Sequence, residues 1–431
     1  MQELAVSLWR GICVLPNLVQ DLIVYSLAAL FAGVNSVYAG TADYREWGTL
    51  ATAPYLVAGA FTFALYLLHR RRPISVSMLR RARISVVVLL GVTTVVVPLL
   101  SELVWRATAT QNAHAQPEVA VIERAGDRIA LGRSPYLLHP SSVGISPTND
   151  SHGVDQFSFF PYLPGMAIFG LLNATAVSPE IGDARVLFAL VALATFFVAL
   201  SLTRASPERK IRATQFFVAL PVGALPMVTG GDDLPVIALV LLSLALLQRR
   251  QGFASGILAA LACSLKFTAW PIALLALLIS DHEEDSHLTR SYLAGLSLVI
   301  PVLLFGLYGN VQAFVENVIR FPLGLTRVRS PAASPLLGQF LVSAFPHQRR
   351  LITLLLAIAG SAIVVVAITY HRPRDAAGVA RFSGFALCVA TVLAPATRFG
   401  YLIYPTLLFI WSYVLTGYRR PHLDDQRAAA G

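Results

Sequence analysis

Charge is what this chain has least of. Only 13% of its 431 residues are Asp, Glu, Lys or Arg, while 56% are hydrophobic and the mean hydropathy is +0.67. A soluble domain carries about 25% charged residues, so most of this chain sees no water. One oversized soluble core is excluded too, because such cores stop growing near ~250–300 residues. Cysteine is also scarce. Cys13, Cys263 and Cys388 stand apart, and none has a neighbour at metal-ligand spacing. That excludes a disulfide framework and leaves them as small apolar residues. The chain has no internal repeat and no low-complexity linker, and its opening residues, MQELAVSLWRG, lack the basic start and cleavage site expected of a signal peptide.

What the chain does have is a series of apolar runs, near residues 19–38, 52–68, 84–101, 184–203, 213–229, 233–247, 253–280, 291–308, 351–370, 382–397 and 400–417. Lengths of roughly 17–25 residues match the hydrocarbon thickness of a bilayer. Helices are required, because lipid offers backbone groups no partner. The fold class expected is therefore an all-α polytopic membrane protein. The net charge of +10 and pI near 9.8 do not indicate nucleic acid. The arginines cluster at the ends of apolar runs, where they set orientation and meet anionic membrane lipids.

His69 through Arg72, with Arg80, Arg81 and Arg83, form the strongest basic cluster and are placed in the cytoplasm. Residues 102–157 then become a long external loop. Keeping Arg204 to Arg212 cytoplasmic requires that 157–175 not cross fully, and Pro161, Pro164 and Gly165 support an interfacial or re-entrant segment. Run 253–280, interrupted by Lys266, Trp270 and Pro271, reads as a hairpin of two short helices with Lys266 near its tip. Residues 309–350 form a second external loop. The expected organisation is N-terminal spans over 1–101, an external loop with juxtamembrane segments over 102–175, a membrane bundle over 176–420 containing loop 309–350, and a cytoplasmic tail over 421–431. About twelve membrane helices result.

Chemistry-bearing residues gather on the external side of this topology. Pro117 starts and Gly132 stops a helix in the first loop, which puts Glu118 in the first turn, where the helix dipole favours a carboxylate. Capping alone would explain Glu118. Glu123 and Asp127, four apart and each followed by Arg, look like a solvated face. Asp232 and Asp233, in Gly230–Pro235, lie in a tight external turn. Two adjacent carboxylates at a membrane surface are expensive unless solvated, paired or used, and an ordinary turn needs one Asp. Lys266 lies far from the ends of its apolar run, where a cation costs roughly 2.5–3.5 kcal/mol on insertion scales, and it has no carboxylate partner in that run. Arg398 and Tyr401 mark another external turn, and the second loop carries Arg320, Arg327, Arg329, His347, Arg349 and Arg350. External cations of this kind could hold an anionic lipid head group.

On these residues the chain resembles the GT-C superfamily of polytopic glycosyltransferases, most closely glycosyltransferase family 87. Glu118, Val121, Ile122, Ala125, Gly126, Gly132, Pro135 and Tyr136 follow the order of the family's first-loop motif, with Glu for the usual Asp and Ile for the usual Tyr. Phe157 to Pro164 resembles its aromatic Pro segment, Gly230 to Pro235 its Gly-rich turn, Gly252 to Pro271 its small-residue run ending in Lys and Pro, and Arg398 with Tyr401 its late turn. The resemblance covers roughly residues 100–415.

It implies a GT-C-like bundle in the cell membrane with its active site on the external face. The implied activity is an inverting glycosyltransferase that moves a sugar, mannose being expected, from a polyprenyl-phosphate donor to a glycolipid or polysaccharide acceptor. Such a donor needs no nucleotide, and no Rossmann domain is present. Glu118, Asp232 and Asp233 are the implied catalytic carboxylates, one of them a general base. Lys266, Arg398, Tyr401, Tyr136 and His347 are the implied substrate-binding residues, with the cations stabilising the departing phosphate. No cofactor is demanded. Asp232 and Asp233 could hold a divalent metal, but no His/Asp cluster at ligand spacing requires one. An arabinofuranosyltransferase of the same fold would share every motif. A transporter would use Lys266 and the Asp pair as ion sites, but the inverted repeats usual in that class are not seen.

Overall fold

The computed structural model describes residues 16–109, 114–138, 156–176, 178–279, 283–308, 310–323, 325–326, 328 and 332–416. Among them every extended regular element is a helix, and strand-like pairing is confined to the isolated bridge between Ala333 and Thr397. Eight helices are long and apolar enough to cross a membrane: Asn17–Tyr38, Ala42–Arg71, Val76–Thr108, Ala184–Leu202, Pro207–Thr229, Ser286–Leu307, Pro346–Tyr370 and Ala376–Leu393. Shorter apolar helices are Asp233–Gln248, Gly252–Leu265, Phe267–Ile279 and Phe399–Leu415. The chain is thus an all-α polytopic membrane protein. Cys13, most of the basic residues placed in loop 309–350 before His347, and the tail 421–431 fall wholly or partly outside the described residues.

The described chain forms two compact units. The first contains the residues up to Gln116 together with Thr214–Thr229. Its helix Val76–Thr108 carries a wide π turn at Val92–Val96. Such a turn disturbs the regular hydrogen-bond ladder, and here the Trp47 indole donates to the Thr94 carbonyl at 2.9 Å. The Tyr55 hydroxyl likewise donates to the Ala219 carbonyl at 2.7 Å, beside the second π turn, Gln215–Ala219. Arg83 does not meet lipid head groups as its basic cluster suggested. It is buried against Asp21, which also accepts from Gln215 at 3.0 Å.

The second unit holds Pro117–Ala213 and the residues from Gly230 onward. Its centre is the helix Asp233–Gln248, in which every residue from Asp233 to Leu247 is buried. A helix that is apolar all round belongs in the interior of a bundle. It packs between Ala184–Leu202 and Gly252–Leu265, with Ala376–Leu393 and Ile403–Leu415 on its remaining sides. Arg349–Tyr370 has a similar composition and no buried residue, as expected of a helix that faces lipid.

Helix Gly252–Leu265 ends because Lys266 is extended. Continuing through Pro271 would set its ring against the carbonyl of Phe267, whereas a proline in the first turn of a new helix is tolerated. Gly252 faces Leu288, and Gly256 faces Tyr292 and Gly295. Ser286–Leu307 therefore runs parallel to Gly252–Leu265, and Phe267–Ile279 must return between them. The chain reverses at Lys266. Residues 157–175 form no continuous helix. They fold as the 3-10 segment Pro164–Gly170 and the short helix Leu171–Thr175, with Pro164 to Ala167 buried inside the unit. Irregular backbone at membrane depth is tolerated where protein covers it.

Candidate active site

Glu118 is placed by its helix. Pro117–Ala130 starts at the proline and buries Val119, Val121, Ile122 and Ala125. Gly126 lies against the backbone of Gly170, so close that a side chain on either would collide with the other segment. This contact fixes the 117–130 helix on the 164–170 turn. The expectation of a solvated face at Glu123 and Asp127 is overturned at Glu123 and stands at Asp127, which is half-buried. Glu123 is buried and accepts from the Ala184 amide at 3.1 Å, at the start of helix Ala184–Leu202. Asp127 accepts from Asn173 at 3.0 Å. The Glu/Arg alternation was misleading at Glu123 because that side of the helix packs on the bundle, where the carboxylate meets the first amide of a neighbouring helix.

Asp232 and Asp233 are placed by a turn. Gly230 has φ +109°, and its missing side chain leaves room for Val119 and Arg185. Only glycine adopts that backbone readily. Asp233 opens the central helix and Asp232 directly precedes it, both buried. The reversal at Lys266 brings its ammonium to both: Nζ donates to Asp233 Oδ1 at 2.6 Å and to Asp232 Oδ1 at 3.0 Å. The cation lacking a partner in its own run is therefore paired across the bundle. Asp232 Oδ2 is buried and makes no close hydrogen bond among the described residues, with the Tyr162 hydroxyl near enough to interact with the Asp232 carboxylate.

Arg398 completes the charges. Its Nη1 lies 2.6 Å from Glu118 Oε1, with 32% of the Arg398 side chain and 13% of Glu118 exposed. The turn that carries it is held by backbone. Thr397 N donates to Ala332 O, Ser334 N donates to Thr397 O, and Phe399 N donates to the Ser334 hydroxyl. Burial disfavours the charged guanidinium, but Glu118 beside it outweighs that and holds Arg398 more firmly protonated than usual.

Tyrosines join the two charge sets. The Tyr162 and Tyr401 rings lie 5.4 and 5.7 Å from Lys266 Nζ, in cation–π range. Tyr162 lies within the electrostatic reach of Glu118, Asp232 and Arg398, and Tyr401 within that of Lys266, Asp232, Asp233 and Arg398. Tyr162 is held by the bond from Leu163 N to Leu265 O, next to Lys266. Tyr136 is one layer back: its hydroxyl donates to the Tyr162 carbonyl at 3.0 Å, and its ring packs on Phe160 and Phe314.

Tyr404 and Thr268 escaped the sequence reading, and Tyr162 entered it only as part of the aromatic Pro segment. The Tyr404 hydroxyl donates to Asp233 Oδ1 at 2.7 Å and accepts from Thr268 at 2.7 Å. Tyr404 follows Tyr401 by three residues, a helical spacing that puts both on one face, and that was the available signal. Thr268 sits two residues beyond Lys266 and gave none. His347 is not brought to this cluster. It lies exposed on the turn Pro346–Gln348, ahead of helix Arg349–Tyr370.

Chemically the cluster sets three carboxylates against two cations, with aromatic walls and partial access at Arg398. It can bind an anion on the cations and take a proton on a carboxylate. Among the described residues no group of three or more His, Cys, Asp or Glu is arranged to hold a metal ion. No curated protein matches the chain. The family model of glycosyltransferase family 87 matches residues 159–395, more than half of the chain. That span contains Tyr162, Asp232, Asp233 and Lys266; Glu118, Arg398, Tyr401 and Tyr404 join them through the fold. A polytopic chain with this match over most of its membrane bundle belongs to glycosyltransferase family 87, and is a GT-C-type membrane glycosyltransferase.

Proposed function

We propose that the chain transfers a sugar from a polyprenyl-phosphate donor to a hydroxyl of a glycolipid or glycan acceptor on the external membrane face, with inversion at the anomeric carbon. The convergence of Glu118, Arg398, Lys266 and the Asp232–Asp233 pair in one tyrosine-walled cluster carries the reading. Arg398 and Lys266 take the donor phosphate, Arg through a planar fork and Lys as a point charge. Glu118 takes the proton of the acceptor hydroxyl as its oxygen bonds to the anomeric carbon. The bond from that carbon to the phosphate oxygen breaks, and its electron pair leaves on the phosphate, stabilised by the two cations. Phosphate leaves without protonation, so no general acid is needed. Asp232 and Asp233 hold Lys266, Tyr404 holds Asp233, and Tyr136 holds Tyr162.

Mannose is the sugar the family resemblance favours, with arabinofuranose as the alternative on the same scaffold. The external location rests on the basic cluster at residues 69–83 being cytoplasmic. The test is purified enzyme in nanodiscs, given a polyprenyl-phosphate sugar and a lipid-linked acceptor, with Glu118→Gln compared against Asp232→Asn and Asp233→Asn. Loss of transfer confined to the Asn variants would move the base to the Asp pair. Transfer by all three variants at the wild-type rate would overturn the reading.

A further inference from the structure

The mechanism needs Arg398 on the phosphate and Glu118 free to take a proton, yet the structure has these two side chains bound to each other at 2.6 Å. While the pair is closed, Glu118 Oε1 and Arg398 Nη1 are engaged with each other rather than with substrate. A carboxylate whose oxygen is engaged by a guanidinium is a poor base, and a guanidinium so engaged has fewer donors for phosphate. Lys266 is occupied in the same way, by Asp232 and Asp233 together. The two pairs differ in how firmly they are fixed. Asp233 is also held by Tyr404 and through it by Thr268. Glu118–Arg398 has the more exposed cation, on a turn tethered through its backbone.

Resting on the reading above, we infer that the donor phosphate opens the Glu118–Arg398 pair by replacing Glu118 on Arg398, so that the base is released only when donor is bound. The phosphate takes the guanidinium, and the displaced carboxylate becomes the acceptor for the incoming hydroxyl proton. Donor binds first, because an acceptor arriving at an unloaded site meets a Glu118 still held by Arg398. Water at the unloaded site meets the same closed pair. After transfer the sugar-free lipid phosphate leaves, and Glu118, having passed its proton to solvent, closes on Arg398 again.

This exchange makes Glu118 a competitor of the donor. A ligand that must open a closed pair binds with an affinity reduced by the fraction of sites already open. Removing the carboxylate should therefore strengthen anion binding while abolishing transfer. A residue that merely shaped the site would weaken it.

The experiment measures binding of a synthetic polyprenyl monophosphate, and separately of inorganic phosphate, to full-length protein in nanodiscs. Wild type is compared with Glu118→Gln, Glu118→Ala and Arg398→Met. The lipid phosphate should bind both Glu118 variants about tenfold more tightly than wild type, and Arg398→Met should lose most of the binding. Inorganic phosphate should show the same order, because the phosphate group itself replaces Glu118 on Arg398, and weaker binding of it by both Glu118 variants than by wild type would count against the exchange. Using two Glu118 variants guards against one failing to fold. Wild-type or weaker lipid-phosphate affinity in both would overturn the gating. Retained transfer in Glu118→Gln would instead overturn the assignment of the base, so the two failures are distinguishable.

Discussion

In the N-terminal unit Asp21 meets Arg83 with a side chain only 2% exposed, and accepts also from Gln215, whose amide in turn donates to the Tyr25 hydroxyl at 2.7 Å. In the larger unit Glu118 meets Arg398 with 13% and 32% of the side chains exposed, and Asp232 keeps a buried oxygen that makes no close hydrogen bond among the described residues. Both sets place carboxylate against guanidinium inside an apolar protein. The first is enclosed and backed by amide and phenol groups, so it fixes helices to one another. The second is partly open, and in the proposed reaction a phosphate would take its cations and displace its carboxylate. Buried polar groups left partly satisfied in a native protein call for a reason, and the proposed transfer reaction would supply one.

The sharpest way to break the comparison is Glu118→Gln. It should lower transfer by about 10²–10⁴-fold, the range expected of a general base, with little change in thermal stability. Arg83→Met should do the opposite. It strands a buried carboxylate at a cost of about 3–5 kcal/mol, read as a fall in the unfolding midpoint in nanodiscs, while donor affinity of the folded fraction stays at wild type. Parallel losses in both assays for both variants would erase the distinction between the two pairs.

Lys266→Met should weaken donor binding by about tenfold, the order expected for a lost hydrogen bond to a charged group. The loss should be independent of which acceptor is offered. Tyr404→Phe removes one bond to Asp233, worth about 1 kcal/mol, and should lower donor affinity roughly fivefold through a less firmly held Lys266. His347→Ala should change binding by less than about twofold, as for other exposed positions. A larger effect would bring the turn at Pro346–Gln348 into the donor site and widen the cluster described here.

The helical, membrane-spanning character was legible because each apolar run is long and lacks charge, and lipid leaves helices as the solution. The start of the 117–130 helix at Pro117, the reversal at Lys266 and the failure of 157–175 to form a long helix were also readable, since proline and glycine act locally. The carboxylate pair and Lys266 stood out because charge in an apolar setting is costly. Their partnership was not readable, because Asp232 and Lys266 are joined by the antiparallel packing of two helices rather than by spacing along one. The burial of Glu123 and the pairing of Arg83 with Asp21 were missed for the same reason. Each reads locally as a surface charge and meets its partner from a distant segment.

By itself the sequence determined that this chain lies in a membrane as helices, and which few charged residues its apolar stretches must account for. These follow from the solvent and from backbone chemistry, and both act along the chain. Only the tertiary structure decided that Asp233–Gln248 is the buried centre and Arg349–Tyr370 the outer face, since two equally apolar helices differ only in what surrounds them. It alone decided that Glu118 faces Arg398 and that Lys266 lies between two aspartates. Charge pairing depends on distances of a few ångströms between separate segments, 34 residues apart for Asp232 and Lys266 and far more for Glu118 and Arg398, and packing sets those distances.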